Sequence, residues 1–189
     1  GMHNPTDDHW KQLKHIIGYL RFKPELTMSY ATSSQKLTAY CDADYATDPT
    51  RKSITGYLVF LGKNLIAHSS GRQKIVALSS CEAEYIALTE CAKAISYFQQ
   101  LLEFLNFHQS RTLIYEDNQG AIQLADSNAS GKRTKHIDVR YHYIREKINS
   151  GEIELRHIST VDQLADLLTK GFGATRHHKL LNGILGNHH

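Results

Sequence analysis

Hydrophobic and polar positions alternate in two rhythms along this chain, and the switches between them outline its elements. Residues 8 to 21, "DHWKQLKHIIGYLR", set Trp10, Leu13, Ile16, Ile17 and Leu20 at helical spacing after Pro5 and Thr6 as start signals, which predicts an amphipathic helix. "ELTMSY" and "KLTAYCD" read as short strands divided by the polar "ATSSQ", so residues 1 to 35 form a lead-in of helix and strand. "SITGYLVFLG" and "NLIAHSS" are β-rich runs joined through Gly62, Lys63 and Asn64, the pattern of a hairpin. With residues 36 to 43 they make a three-stranded antiparallel meander. A long helix over 79 to 105 follows, then the strand "RTLIYE", a short helix from about 118 to 126, a basic segment and a helix over 134 to 149. The strand "EIELRHI", a helix from Thr160 to Lys170 and a C-terminal helix close the chain. Strands followed by strand–helix units predict an α/β fold, a mixed sheet with helices packed on it.

Several acids break this pattern in informative places. In "KLTAYCDADYATD", Asp42 and Asp44 fall where a strand would continue into the core. Ser79 and Glu82 have capping-box spacing, which starts the long helix near "SSCEAEY". Counted from there, Cys81, Tyr85, Leu88, Cys91, Ile95 and Leu102 form one apolar stripe; Glu84 falls inside it and Glu82 points away. Burying an unpaired carboxylate is costly, so Glu84 needs a cation, a proton or a metal, unless its stem snorkels to water at the boundary. Asp117 ends "TLIYE" just before "NQGAIQLA" turns helical, which is where open α/β sheets place ligands. Helix capping is the other use for it, although Asn118 could fill that role. Thr160 and Gln163 again have capping-box spacing, while Asp162 and Asp166 lie one turn apart; the helix dipole accounts for Asp162 and leaves Asp166 unexplained.

Composition narrows the class. A chain of 189 residues, 41% hydrophobic and 22% charged, fits one globular domain with an appendage and excludes disorder. No apolar run approaches the roughly 18 residues of a membrane span and no signal-peptide pattern opens the chain, so a soluble, intracellular protein with no membrane partner is expected. Cys41, Cys81 and Cys91 show no close metal-type pairing, and His177 and His178 lack partners at metal spacing, so reduced thiols, surface histidines and no zinc are expected. Gly1 before Met2, and His188 with His189, read as expression scars without functional weight.

Charge points to a polyanionic partner. Between residues 131 and 158, Lys132, Arg133, Lys135, Arg140, Arg145, Lys147 and Arg156 oppose Asp138, Glu146, Glu152 and Glu154, a surplus equal to the chain's whole +3. Any single lysine there could simply decorate a solvated helix face, but as a group Arg133, Lys135 and His136 are candidates for phosphate contacts, with Arg51 and Lys52 as a second patch.

The motifs "YCDADYA", "ALSSCEAEYIAL", "YEDNQGAI", "RTKHIDVRYHYIREKI" and "STVDQLADLLTK", in order and at compatible spacing over nearly all of residues 36 to 172, resemble the ribonuclease H domain of copia-type (Pseudoviridae) LTR retrotransposon Pol polyproteins. The lead-in resembles the segment joining the reverse transcriptase to that domain. The resemblance implies a ribonuclease H-like fold, with a mixed five-stranded sheet of the meander plus two parallel strands, a domain over 36–172 and a helical tail over 173–189. It assigns Asp42, Glu84, Asp117 and Asp166 as the catalytic, metal-binding acids, with Asp44 a more exposed companion and Asn118 beside the substrate. Four carboxylates suit two Mg²⁺, for which Mn²⁺ can substitute, in the two-ion hydrolysis of a phosphodiester. The implied activity is endonucleolytic cleavage of the RNA strand of RNA/DNA hybrids during reverse transcription, leaving 5′-phosphate and 3′-hydroxyl ends. Implied partners are the hybrid and the reverse transcriptase domain of the same polyprotein, inside a cytoplasmic virus-like particle. Cellular relatives carry a histidine in a loop before the last acid, and His157 is the nearby candidate for it. Two other readings stay open: a non-catalytic, connection-type binding domain, against which the four retained acids speak, and an integrase- or transposase-like nuclease, which uses three acids and is not expected to match "EAEYIAL".

Overall fold

The β-branched and aromatic runs pair into one sheet. The computed structural model of the protein describes residues 3–32, 34–126 and 135–186, and the side chains of all these except 135–138. The strands are β1 (Leu37–Asp44), β2 (Ile54–Leu61), β3 (Asn64–Arg72), β4 (Thr112–Glu116) and β5 (Ile153–His157), in the spatial order β3-β2-β1-β4-β5. β1, β2 and β3 pair antiparallel as the expected meander, whereas β4 lies parallel to β1 and β5 parallel to β4. Gly62, at φ 63°, supplies the left-handed residue that the tight β2–β3 turn requires.

The described residues form five α-helices, α1 (Asp7–Phe22), α2 (Ser80–Phe104), α3 (Gln119–Asp126), α4 (Lys135–Asn149) and α5 (Ala174–Leu185), of which α1 buries no residue and the others pack about the sheet. On one face Leu37, Ala39 and Cys41 of β1, with Val59, Ile114 and Ile153, pack beneath Tyr85, Leu88, Cys91 and Ile95 of α2 and Ile144 of α4. The opposite face, carrying Tyr40, Leu58, Phe60 and Leu65, is covered by Ile184 of α5 and by Leu164 and Leu168, which precede that helix. Ser79 caps α2 by accepting the Glu82 N–H at 3.1 Å, but the Glu82 carboxylate accepts from Leu78 N–H, one residue before the reciprocal bond that the capping box calls for. None of the described helices is long and apolar enough to cross a membrane.

Two expected elements differ. "ELTMSY" forms no strand. Its surroundings offer scattered partners rather than a sheet edge: Ser29 N–H donates to the Leu185 carbonyl, and Ala31 exchanges two hydrogen bonds with the Asn64 side chain. The helix expected from Thr160 to Lys170 is instead two 3₁₀ turns, Thr160–Asp162 and Leu164–Leu168, broken at Gln163. Gln163 is fully buried, and its amide donates to the Cys41 carbonyl at 2.9 Å, pinning the backbone at ψ 103°, outside the helical region. Its side chain also accepts from Ala165 N–H, so Gln163 caps the second turn rather than closing a box with Thr160.

Candidate metal centre

The parallel pairing of β1 and β4 brings two acids together. Tyr40 registers opposite Tyr115, and two residues further along stand Asp42, two residues before the end of β1, and Asp117, just past the end of β4. Glu84, on the second turn of α2, joins them, and ligand oxygens of Asp42, Glu84 and Asp117 all lie within 4.8 Å of one another. Asp42 and Glu84 are buried and Asp117 half-buried. Glu84 Oε2 is buried without a hydrogen-bond partner. Burial, backed by the charges of Glu116, Asp42 and Asp117, pushes the Glu84 pKa up to about 11. An orphaned carboxylate oxygen among three converging acids fits a hard divalent cation such as Mg²⁺ or Mn²⁺, and a donor set without thiolate or imidazole is not one that zinc favours.

Asp166 stands beside this triad, in the second 3₁₀ turn. Lys170 Nζ lies 2.7 Å from Asp166 Oδ1 and 3.0 Å from Asp42 Oδ1, bridging the two buried carboxylates. The Arg176 guanidinium, from α5, donates to Asp166 Oδ2, and the Thr169 hydroxyl to Asp42 Oδ2. Burial raises the Asp166 pKa while its hydrogen bond from Lys170 pulls the other way. Burial opposes the Lys170 charge, yet the bonds and fields of Asp166 and Asp42 outweigh it and raise its pKa. Gly56, which pairs with Asp42 across β2, makes this approach possible: a Cβ there would come within 2.7 Å of Thr169 Cγ2 and 2.9 Å of Leu168 Cβ.

Sequence reasoning misses three of these neighbours and one further acid. Lys170 has a legible signal, its i,i+4 spacing from Asp166, whereas nothing local announces Thr169 or Arg176. Glu116 is fully buried beside the triad, where it accepts from Asn118 N–H at 3.0 Å and the Cys41 thiol at 3.3 Å, and burial raises its pKa to about 8. Its signal is strand alternation, since Glu116 is in phase with buried Thr112 and Ile114.

Asp44 is more exposed than Asp42, and burial raises its pKa. Asn118 Oδ1 accepts Ala121 N–H at 3.1 Å and so caps α3, which leaves Asp117 free of that task. His157 is exposed at the end of β5, in register with Glu116. Arg51, exposed, and Lys52, half-buried, sit in the β1–β2 loop, whose backbone the Asp48 carboxylate gathers. Arg133 lies outside the described residues, as do the side chains of Lys135 and His136, whose backbone opens α4. A cleft of about 390 Å³ beside the N-terminal half of α2 is lined by Thr55, Arg72, Lys74, Lys93 and Arg140.

No protein-family model matches the chain. The retrovirus-related Pol polyproteins of transposon TNT 1-94 from Nicotiana tabacum and transposon RE2 from Arabidopsis thaliana are 42% and 41% identical to it over 170 and 172 residues, in each case 89% of this chain. It spans 13% and 12% of those polyproteins. An N-terminal RNase H domain from Mycobacterium tuberculosis superposes with a TM-score of 0.55 at 12% identity, over 78% of this chain and 96% of that one. LC11-RNase H1, solved in complex with an RNA/DNA hybrid, gives 0.53 at 17% identity over 70% and 93%. Identities that low speak for the fold alone. Homology along the chain and likeness of fold together place it with the copia-type retrotransposon Pol polyproteins, as a segment with the ribonuclease H fold.

Proposed function

We propose that this chain is a metal-dependent endoribonuclease that hydrolyses the RNA strand of RNA/DNA hybrids during retrotransposon reverse transcription. The observation that carries the reading is the convergence of Asp42, Glu84 and Asp117 at the strand ends, with a buried Glu84 oxygen left unpartnered. Two Mg²⁺ or Mn²⁺ would activate the attacking water and stabilise charge on the phosphate and the leaving oxygen. Asp42, Glu84 and Asp117 would hold one ion, and Asp42 with Asp166 the other. The rest of the chain fixes those carboxylates: Thr169 orients Asp42, Arg176 orients Asp166, and Gln163 ties the last two 3₁₀ turns to β1. Preorganisation of this kind supplies much of what phosphoryl transfer needs from a protein.

Substrate phosphates would track the basic cleft of Arg72, Lys74, Lys93 and Arg140, with Arg133, Lys135, His136, Arg51 and Lys52 extending the contact and Asn118 beside the reacting strand. The 2′-hydroxyls would distinguish the RNA strand. His157, exposed at the end of β5, would be the auxiliary residue. The reverse transcriptase domain of the same polyprotein, within a cytoplasmic virus-like particle, is the natural neighbour of the exposed apolar side of α1, where Trp10, Ile16 and Leu20 are all more than half exposed.

A gel assay offering labelled RNA/DNA hybrid, double-stranded RNA and double-stranded DNA, with Mg²⁺ or with chelator, tests the proposal. Mg²⁺-dependent cleavage of the hybrid's RNA alone, leaving 5′-phosphates, is expected. Binding without cleavage would identify a connection-type module, and cutting of double-stranded DNA an integrase-like enzyme.

A further inference from the structure

The two sides of the acid cluster are satisfied very differently. Glu84 Oε2 has no partner, whereas all four oxygens of Asp42 and Asp166 accept from this chain's own donors: Lys170 on both Oδ1 atoms, Thr169 on Asp42 Oδ2 and Arg176 on Asp166 Oδ2. Charge is also balanced there, two carboxylates against one ammonium and one guanidinium. Bringing a divalent ion onto the Asp166 side therefore leaves excess positive charge in a buried place unless a cation departs. Arg176 is held in position by more than its ion pair, stacking on the Phe172 ring with its guanidinium carbon 4.3 Å from the centroid and donating to the Thr160 carbonyl. The Lys170 ammonium sits on a flexible four-carbon stem, and its side chain is 31% exposed, so it has a route to solvent.

We propose that Lys170 is a tethered cation that occupies the Asp166 side of the centre and competes there with a divalent ion, so that the two ions bind unequally and in order. This rests on the metal-binding reading of the site given above. The first ion goes to Asp42, Glu84 and Asp117, where Glu84 Oε2 stands without a partner and only Asp42 has to share an oxygen that Lys170 or Thr169 already holds. The second binds only as the ammonium swings off Asp42 and Asp166. A substrate phosphate, arriving with negative charge, draws the freed ammonium to itself and so favours the exchange. Lys170 thereby acts as a positioning residue that couples second-ion binding to the nucleic acid and keeps two buried carboxylates paired until then.

Mn²⁺ titration of the full chain without nucleic acid, followed calorimetrically and by the free-Mn²⁺ electron paramagnetic resonance signal, tests this without reference to turnover. The parent is expected to bind one ion at least about tenfold more tightly than a second. Lys170→Gln, which keeps hydrogen-bonding capacity and removes the charge, should tighten the second site about tenfold or more and leave the first within about threefold, while Lys170→Arg should keep the second site weak. Lys170→Met should reproduce the Gln result if it folds; if only Lys170→Met misfolds, the Gln and Arg variants decide. A second site equally weak in the parent, Lys170→Gln and Lys170→Arg overturns the proposal. Asp117→Asn separates this from failure of the metal-binding reading itself: it should weaken the first site, and an unaltered first isotherm would remove the acids' assigned role and the Lys170 inference with it.

Discussion

Replacing Glu84 by Gln keeps the shape of the side chain and removes its charge. Unfolded, this glutamate has an ordinary value of 4.5 and is ionised at pH 7; folded and free of metal, burial and the surrounding carboxylates raise it to about 11. Glu84 therefore takes up a proton on folding, which at 1.36 kcal/mol per pH unit between 4.5 and 7 costs about 3 kcal/mol. The figure does not depend on how far above neutrality the folded value lies. Glutamine carries none of this cost, although its amide needs partners of its own, so a net gain of about 1–3 kcal/mol and a melting temperature raised by roughly 3–10 °C are expected for the metal-free variant. Between 4.5 and about 11 the folded protein holds a proton that the unfolded chain lacks, so the metal-free parent loses stability as pH rises through that window. Scanning calorimetry in chelator at pH 5, 7 and 9 should show a steeper decline for the parent than for Glu84→Gln. Excess Mg²⁺ should restore the parent and leave the inactive variant unmoved. A variant no more stable than the parent, with the same pH slope, would refute the claim that Glu84 is buried as an acid awaiting a cation.

Asp117→Asn should keep the circular dichroism spectrum of the parent and lose hybrid cleavage by well over tenfold, as the loss of a metal ligand does; Glu82→Gln, on the solvent side of the same helix turn, should cleave nearly normally. Gly56→Ala forces Thr169 and Leu168 away from β2 and should lower stability by about 1–3 kcal/mol in chemical denaturation while reducing kcat, because Thr169 loses its hold on Asp42. Replacing Lys74 and Lys93 together with Ala should raise the hybrid KM and reduce the magnitude of its salt slope by about two, with kcat little changed; an unchanged slope would mean that the cleft does not meet phosphate.

The helix phase is legible in the sequence because Ser79 fixes where α2 begins and the apolar stripe fixes which way it faces, and together they separate Glu84 from Glu82. The two strand-end acids are legible for a similar reason: apolar runs that stop at a carboxylate mark the rim of a sheet. The final segment is not legible, because its capping spacing is satisfied on paper by Thr160 and Gln163, while a long-range bond from the Gln163 amide to β1 decides the backbone. Residues 25 to 30 fail as a strand because β-propensity cannot report whether an edge is on offer. The apolar stripe of α1 is plain in the sequence, yet none of its described residues is buried within this chain, since periodicity gives a face and not its cover.

The contact between Arg176 and Asp166 bears on how small a working fragment can be. A fragment trimmed after residue 172 would contain every proposed catalytic acid and every sequence motif, and by inspection of the sequence would look complete. It would nevertheless lack the guanidinium that steers one of those acids, along with Leu180 and Ile184, which help to close the far side of the sheet. Such a fragment should bind Mn²⁺ and hybrid and still turn over poorly, an outcome easily mistaken for an inactive enzyme. Expression boundaries, fused tags or proteolytic processing near residue 173 would therefore act on the proposed chemistry, although they lie outside every motif.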